Sequence, residues 1–303
     1  MSALKSLNLE GIADLIKSGK AKNIIVMTGA GISVSAGIPD FRTPGTGLYY
    51  NLQKYKLAYP EQVFDIQYFR KDPKPFYEVA KSIYPGQFHP TKTHYFIRLL
   101  EQHGILLRNF TQNIDTLEQI AGISDEKLVF AHGSFASAHC TKCYKEYSCE
   151  EIRKKIFNNE VVKCPECGSY IKPDITFFGE KLPQRFFNQL SDFSKCDLLI
   201  IIGTSLVVKP FASLVNEVGK DVPRLLINME EIKSEIKPPD DASEEEKKLY
   251  KKNKLFSFDD PDNKLDVFYK GKCDEAVEKL ADLLGWRLEL EEMFDAPFEP
   301  IRK

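Results

Sequence analysis

"LLRNFTQNIDTLEQIAG", residues 106–122, changes character at a single point. Leu106 to Thr111 reads as a short, largely apolar strand, and a helical pattern starts a few residues later. Between them stand Gln112, Asn113 and Asp115, three hydrogen-bonding side chains. They can cap the helix, or they can face a ligand, because open α/β sheets bind ligands just beyond the carboxyl ends of their strands.

Five further apolar runs are bounded by turn or cap residues: 23–31, 127–133, 197–205, 224–230 and 265–271. Helical patterns lie between them over 91–102, 183–193, 210–218 and 274–284, and the N-terminal segment has an amphipathic pattern on Leu4, Leu7, Ile12, Leu15 and Ile16. Near-continuous apolar strands alternating with helices predict an α/β fold with a parallel sheet covered on both faces. Two segments interrupt the alternation. Residues 41–90 are rich in aromatics and proline, and residues 134–178 hold paired cysteines. We expect a large discontinuous domain (1–40, 91–133 and 179–303), a small inserted domain (41–90 and 134–178), and a cleft between them. The mixed-charge run 230–254 reads as a solvated surface insertion.

The chain has 303 residues and a formal net charge of -2, which makes no global electrostatic case for nucleic acid or an anionic membrane. It has no apolar stretch long enough to span a bilayer. The N-terminus has no apolar segment of the signal-peptide kind, so a soluble intracellular protein, cytoplasmic or nuclear, is expected.

Seven cysteines are an odd number, and four form Cys140-x-x-Cys143, twenty intervening residues, then Cys164-x-x-Cys167. In a reducing compartment two such pairs predict a closed tetrahedral zinc site, structural because no coordination position stays open. Cys149, Cys196 and Cys273 lack partners at that spacing and read as small apolar residues.

"GAGIS", Gly29 to Ser33, follows the first strand and resembles part of a dinucleotide fingerprint, but Val34 stands where a third glycine belongs. Nor does an acidic residue stand about twenty positions on to hold a ribose, which disfavours a hydride-transferring dehydrogenase. Tight strand–helix packing is the alternative reading of the same glycines. Gly203–Thr204–Ser205 and Asn228–Met229–Glu230 place polar groups after two other strands, either as caps or toward a shared ligand. His89, His94 and His103 read as structural, whereas His132 closes a short strand before Gly133 and sets a titratable base at the same edge.

Taken in order, "GAGISVSAGIPDFR", "TQNIDTLEQIAG", "AHGSF", the four-cysteine pattern, "KPDITFFGE", "GTSLVVKPFASL" and "LLIN" resemble the sirtuins, NAD-dependent protein-lysine deacylases, over roughly residues 23–292. "PGQFHPTKTHYF" and "GKCDEAVEKLADLLGW" look most like the class I branch. The resemblance implies a Rossmann-like parallel sheet with an inserted small domain made of a zinc ribbon and a helical module.

It also implies roles. Gly29, Ala30, Gly31, Ile32, Ser33 and Val34 would form the phosphate-binding turn, and Asp40, Phe41 and Arg42 a cofactor loop. Gln112, Asn113, Ile114 and Asp115 would surround the nicotinamide and its ribose, with Asp115 accepting from the carboxamide. Gly203, Thr204, Ser205, Asn228, Met229 and Glu230 would hold the adenosine half, beside Cys273. His132 would be the general base, with Asn113 as its catalytic companion. The acyl-lysine oxygen would attack the ribose carbon as nicotinamide leaves, so NAD would be consumed and O-acyl-ADP-ribose released.

Ile175, Thr176, Phe177, Phe178, Gly179 and Glu180 would be the substrate strand, pairing with an extended acylated peptide such as a histone or tubulin tail. Thr176 stands where the family carries valine. Phe64, Phe76, Val79, Ile83, Phe135 and Phe178 would wall the acyl-lysine tunnel. Ala80 and Ile83 occupy the positions at which desuccinylating relatives carry tyrosine and arginine, so neutral acyl groups are expected. Mono-ADP-ribosyl transfer and a non-catalytic NAD-binding scaffold are the alternatives.

Overall fold

The computed structural model describes residues 4–38, 50–232 and 255–298. Its larger sheet contains β1 (Ile24–Thr28), β2 (Leu106–Thr111), β3 (Leu128–Phe130), β7 (Leu198–Ile202), β8 (Arg224–Asn228) and β9 (Asp266–Lys270). Their order is β3-β2-β1-β7-β8-β9, and every pairing is parallel. All five residues of β1 are buried, because the sheet is covered on both sides. Ile24 and Val26 pack into one core with the α-helices α1 (Leu9–Lys17), α4 (Lys92–Gln102), α8 (Cys273–Leu284) and α9 (Arg287–Phe294). Ile25 and Met27 point the other way, into a second core with Phe110, Phe186, Phe193 and Phe211. The alternation is the two-residue period of a strand.

The N-terminal helix starts later than the apolar pattern. Asn8 takes an extended conformation and its side chain accepts from the Gly11 N–H, so α1 begins at Leu9. Leu4 and Leu7 therefore precede the helix, and Leu7 is exposed. The patterns over 183–193 and 210–218 also resolve differently. The first is α7 (Gln184–Asn188) followed by a 3₁₀ turn over Leu190–Lys195, and the second is a 3₁₀ helix over Phe211–Asn216. Short connectors of this kind close with the tighter hydrogen-bond pattern.

The smaller sheet is antiparallel, ordered β5 (Glu146–Ser148), β4 (Gly133–Cys140), β6 (Ile171–Ile175). The α-helices α2 (Ile66–Phe69), α3 (Lys74–Ser82) and α6 (Cys149–Phe157) pack on it around a separate core. Phe69, Phe76 and Phe177 meet edge to face there, at centroid separations of 4.7–5.6 Å. Ile114 and Leu117 also enter this core, so the loop after β2 and the short helix α5 (Leu117–Ile120) touch both units. The charged run past residue 232 and residues 40–42 lie outside the described residues.

Candidate active site

The strand order reverses at β1, and ligands bind open parallel sheets at such a point. A cleft of about 1310 Å³ opens there. Its floor consists of strand ends: Gly29, Ala30 and Gly31 after β1, Gln112, Asn113 and Ile114 after β2, His132 after β3, Gly203, Thr204 and Ser205 after β7, and Asn228, Met229 and Glu230 after β8. Val34 and Cys273 also line it, and Phe64 with Ile175 to Glu180 forms a wall.

Other predicted residues lie elsewhere. Ile32, Ser33 and Asp115 are buried and do not line the cleft. Phe135, expected on the tunnel, is 3% exposed and packs on the Tyr84 ring at 4.9 Å, inside the small core. Phe76, Val79 and Ile83 are buried in the same core. They pack there with Phe69, Ile152, Ile156 and Ile171. Asp40, Phe41 and Arg42 fall outside the described residues. Sequence reasoning missed Val207, Val208, Lys272, Asp274 and Glu275, which line the cleft beside the residues it selected. Val207 and Val208 follow Ser205 by two and three residues, and Lys272, Asp274 and Glu275 flank Cys273 after β9, so position was their only signal.

The first glycines have a packing cause. A Cβ on Gly31 would sit 2.6 Å from the Gly203 Cα and 2.8 Å from its carbonyl oxygen, so two strand-end turns touch through bare backbone. The Gly31 N–H donates to the Gly203 carbonyl at 2.8 Å. Across this contact Gln112 Nε2 donates to Thr204 Oγ1 at 2.7 Å, tying the ends of β2 and β7 together over β1. Asn113 Nδ2 donates to the Gly29 carbonyl and to Ser33 Oγ, both at 3.2 Å. Ser33 Oγ donates to Asp115 Oδ2 at 2.7 Å, and the Leu117 N–H donates to Oδ1 at 3.0 Å.

Beneath that chain lies a group the sequence did not single out. The side chains of His94, Asp115 and Glu118 converge with their polar atoms within 4.8 Å of one another, all buried. His94 Nδ1 lies 3.1 Å from the Thr91 backbone nitrogen and 2.8 Å from the Thr91 hydroxyl, which itself donates to the Ile32 carbonyl, and Nε2 has no hydrogen-bond partner among the described residues. Burial raises both carboxyls, and two negative charges this close are unfavourable. Asp115 accepts two hydrogen bonds, and burial and then Asp115 push the Glu118 carboxyl up to about 8 against the opposing Thr111 and Thr28 hydroxyls, so Glu118 keeps the proton. Burial alone holds His94 neutral, down to about 3.

His132 is placed by backbone on both sides. Its Nδ1 lies 3.1 Å from the Gln112 carbonyl oxygen, an acceptor only, so Nδ1 carries the proton and Nε2 keeps its lone pair. Burial lowers its pKa, and the Gln112 carbonyl opposes that shift. Gly133 follows with φ at +68°, where a Cβ would sit 1.9 Å from the Asp174 carbonyl oxygen. Only glycine lets the chain turn there from the large sheet into the small one.

The four predicted zinc ligands do converge. Cys140 and Cys167 Sγ are 3.3 Å apart, Cys143 and Cys164 Sγ 3.6 Å, and all four lie within 4.8 Å of one another. A tetrahedral zinc with bonds of about 2.3 Å requires sulfurs roughly 3.8 Å apart, so the set fits a structural zinc with little movement. Tyr147 Oη also points at Cys164 Sγ, at 3.1 Å.

Residues 29–210 match the Sir2 family. The chain belongs to it. The match holds every strand-end group of the cleft as far as Pro210 and all four cysteines. Relatives extend the likeness of this Sir2 chain further. Zebrafish NAD-dependent protein deacetylase sirtuin-2 is 53% identical over 96% of this chain and 75% of its own length. Dictyostelium discoideum NAD-dependent deacetylase sir2A is 54% identical over 96% of this chain, which spans only 54% of that protein. Mouse NAD-dependent protein deacetylase sirtuin-3 is 45% identical over 95% of this chain and 80% of its own length.

Proposed function

We propose that this chain is an NAD-dependent protein-lysine deacetylase that takes the acyl group from lysine to ADP-ribose, releasing nicotinamide and O-acyl-ADP-ribose. The observation that carries the reading is His132. Its Nδ1–H is committed to a backbone carbonyl, and the ring lines a cleft at the strand switch point, facing the wall formed by Ile175 to Glu180. The relatives' names agree with it. NAD, lying along the five strand ends, would supply a ribose carbon from which nicotinamide departs. The chain's own residues do the rest. The Gly29–Gly31 backbone approaches the phosphates, Asn113 is held by Gly29 and Ser33, and neutral His132 takes a proton from a ribose hydroxyl at Nε2.

Neutral acyl groups suit the apolar wall. Ile175, Phe177 and Phe178 line the cleft with apolar side chains, against which a carboxylate would be costly to desolvate. Acetylated histone and tubulin tails are the substrates to test first. The division into residues 41–90 and 134–178 against the rest is part of the same proposal, supported by the separate core around Phe69, Phe76 and Phe177.

The deciding experiment is mass spectrometry of an acetyl-lysine peptide incubated with the protein, with and without NAD, beside His132→Ala. NAD-dependent loss of acetyl with one nicotinamide and one O-acetyl-ADP-ribose per event, absent in the variant, is the expected result. ADP-ribose attached to protein instead would point to mono-ADP-ribosyl transfer. Intact peptide and intact NAD would leave a binding role.

A further inference from the structure

The peptide-facing wall is not a free strand. The Thr176 N–H already donates to the His132 carbonyl at 2.8 Å, and the Phe178 N–H to the Phe64 carbonyl at 2.8 Å. The Phe177 N–H donates to Glu180 Oε2 at 2.8 Å. The wall is thus a tight loop, and one buried cation sits inside it. Lys172 is 7% exposed, and its ammonium donates to the carbonyls of Pro173 at 3.1 Å and Ile175 at 2.5 Å. The same ammonium pairs with Glu180 Oε2 at 3.1 Å and lies 4.4 Å from the centre of the Phe177 ring. Lysine is rarely buried, and a buried charge needs partners on every side. Here the partners are the end of β6, the ring of Phe177 and the carboxylate of Glu180, which are the start, middle and end of the wall.

We propose that Lys172 is a positioning residue that locks Ile175 to Glu180 in the shape the peptide meets, with Glu180 as the other half of the lock. The ammonium neutralises a carboxylate that would otherwise face an acyl-lysine peptide, and it holds that carboxylate's Oε2 toward the Phe177 N–H. Because Thr176 hangs from the His132 carbonyl, the lock also fixes the distance between wall and base. The inference rests on the deacetylase reading, and wild-type turnover tests that reading separately.

The test compares Lys172→Met, Glu180→Gln and the double variant in steady-state deacetylation, after confirming wild-type turnover. Methionine keeps the apolar stem and removes the charge. Glutamine keeps an acceptor for Phe177. Each single variant is expected to raise KM for the acetyl peptide about tenfold while KM for NAD moves less than twofold, an effect general destabilisation would not confine to one substrate. The double variant is expected to be no worse than the poorer single one, since both remove the same contact. Additive losses, or equal losses toward NAD and peptide, would overturn the proposal. If Lys172→Met does not fold, Glu180→Gln decides alone: an unchanged peptide KM sinks the idea. A wild-type protein with no turnover would fail the deacetylase reading, and peptide affinity by calorimetry on the same variants would still test the lock.

Discussion

At the scale of single residues, one titratable group on the cleft floor and another buried beneath it are both kept neutral. His132 is kept neutral with its lone pair unspent, which suits a base. Glu118 is kept neutral because burial and Asp115 leave its charge nowhere to go. A folded pKa raised from 4.5 to about 8 means that the folded chain holds a proton the unfolded chain gives up above pH 4.5. Stability therefore falls as pH rises from roughly 4.5 to 8. Glu118→Gln should flatten that slope and raise the urea midpoint at pH 8, with little change at pH 4.5. An unchanged slope would mean that Glu118 is ionised in the fold. His94 works from the other side. Neutral in the fold down to about 3, it weakens the fold as pH drops below about 6.5, where the unfolded imidazole takes up a proton.

At the scale of elements, the turns after β1 and β7 meet with no side chain between them. Gly31→Ala places a methyl against the Gly203 backbone, which has no flexible end to move aside. A loss of about 1–3 kcal/mol is expected from such overpacking, together with a raised KM for NAD, because the turn has to shift to fit the methyl. Thermal melts and NAD titration check this, and a variant with wild-type values in both would show that the turns can separate freely. "GAGIS" alone left open whether its glycines served a ligand or packing. The structure shows that packing requires Gly31. The partner is Gly203, far away in sequence, and no local reading could have found it.

At the scale of the whole molecule, His132 and Thr176 join the two sheets through one backbone hydrogen bond of 2.8 Å. The zinc site lies in the smaller sheet, where Cys140 ends β4 and Cys164 and Cys167 precede β6. Stripping zinc with a chelator, or replacing Cys164 by Ser, should unravel the small unit, since such sites supply much of a small module's folding energy. Deacetylation is expected to vanish as the peptide wall is lost, while NAD still binds the strand ends, with affinity weakened less than tenfold. Calorimetric NAD titration of the zinc-free protein checks the prediction. Complete loss of NAD affinity would show that the two units fold as one.

The six strands, the cysteine set and the polar steps at Gln112, Thr204 and Asn228 were legible in the sequence because each depends on a local pattern: a run of buried residues, a ligand spacing, an abrupt end to hydrophobicity. The order of the motifs likewise carried the family. Tertiary structure alone decided what lies behind those steps. It sent Phe135, Phe76 and Ile83 into the small core, buried Asp115 beside Glu118 and His94, and wrapped the wall from Ile175 to Glu180 around Lys172. Burial, and the choice of which carboxyl keeps a proton, depend on what the rest of the chain brings alongside, and residues distant in sequence set both.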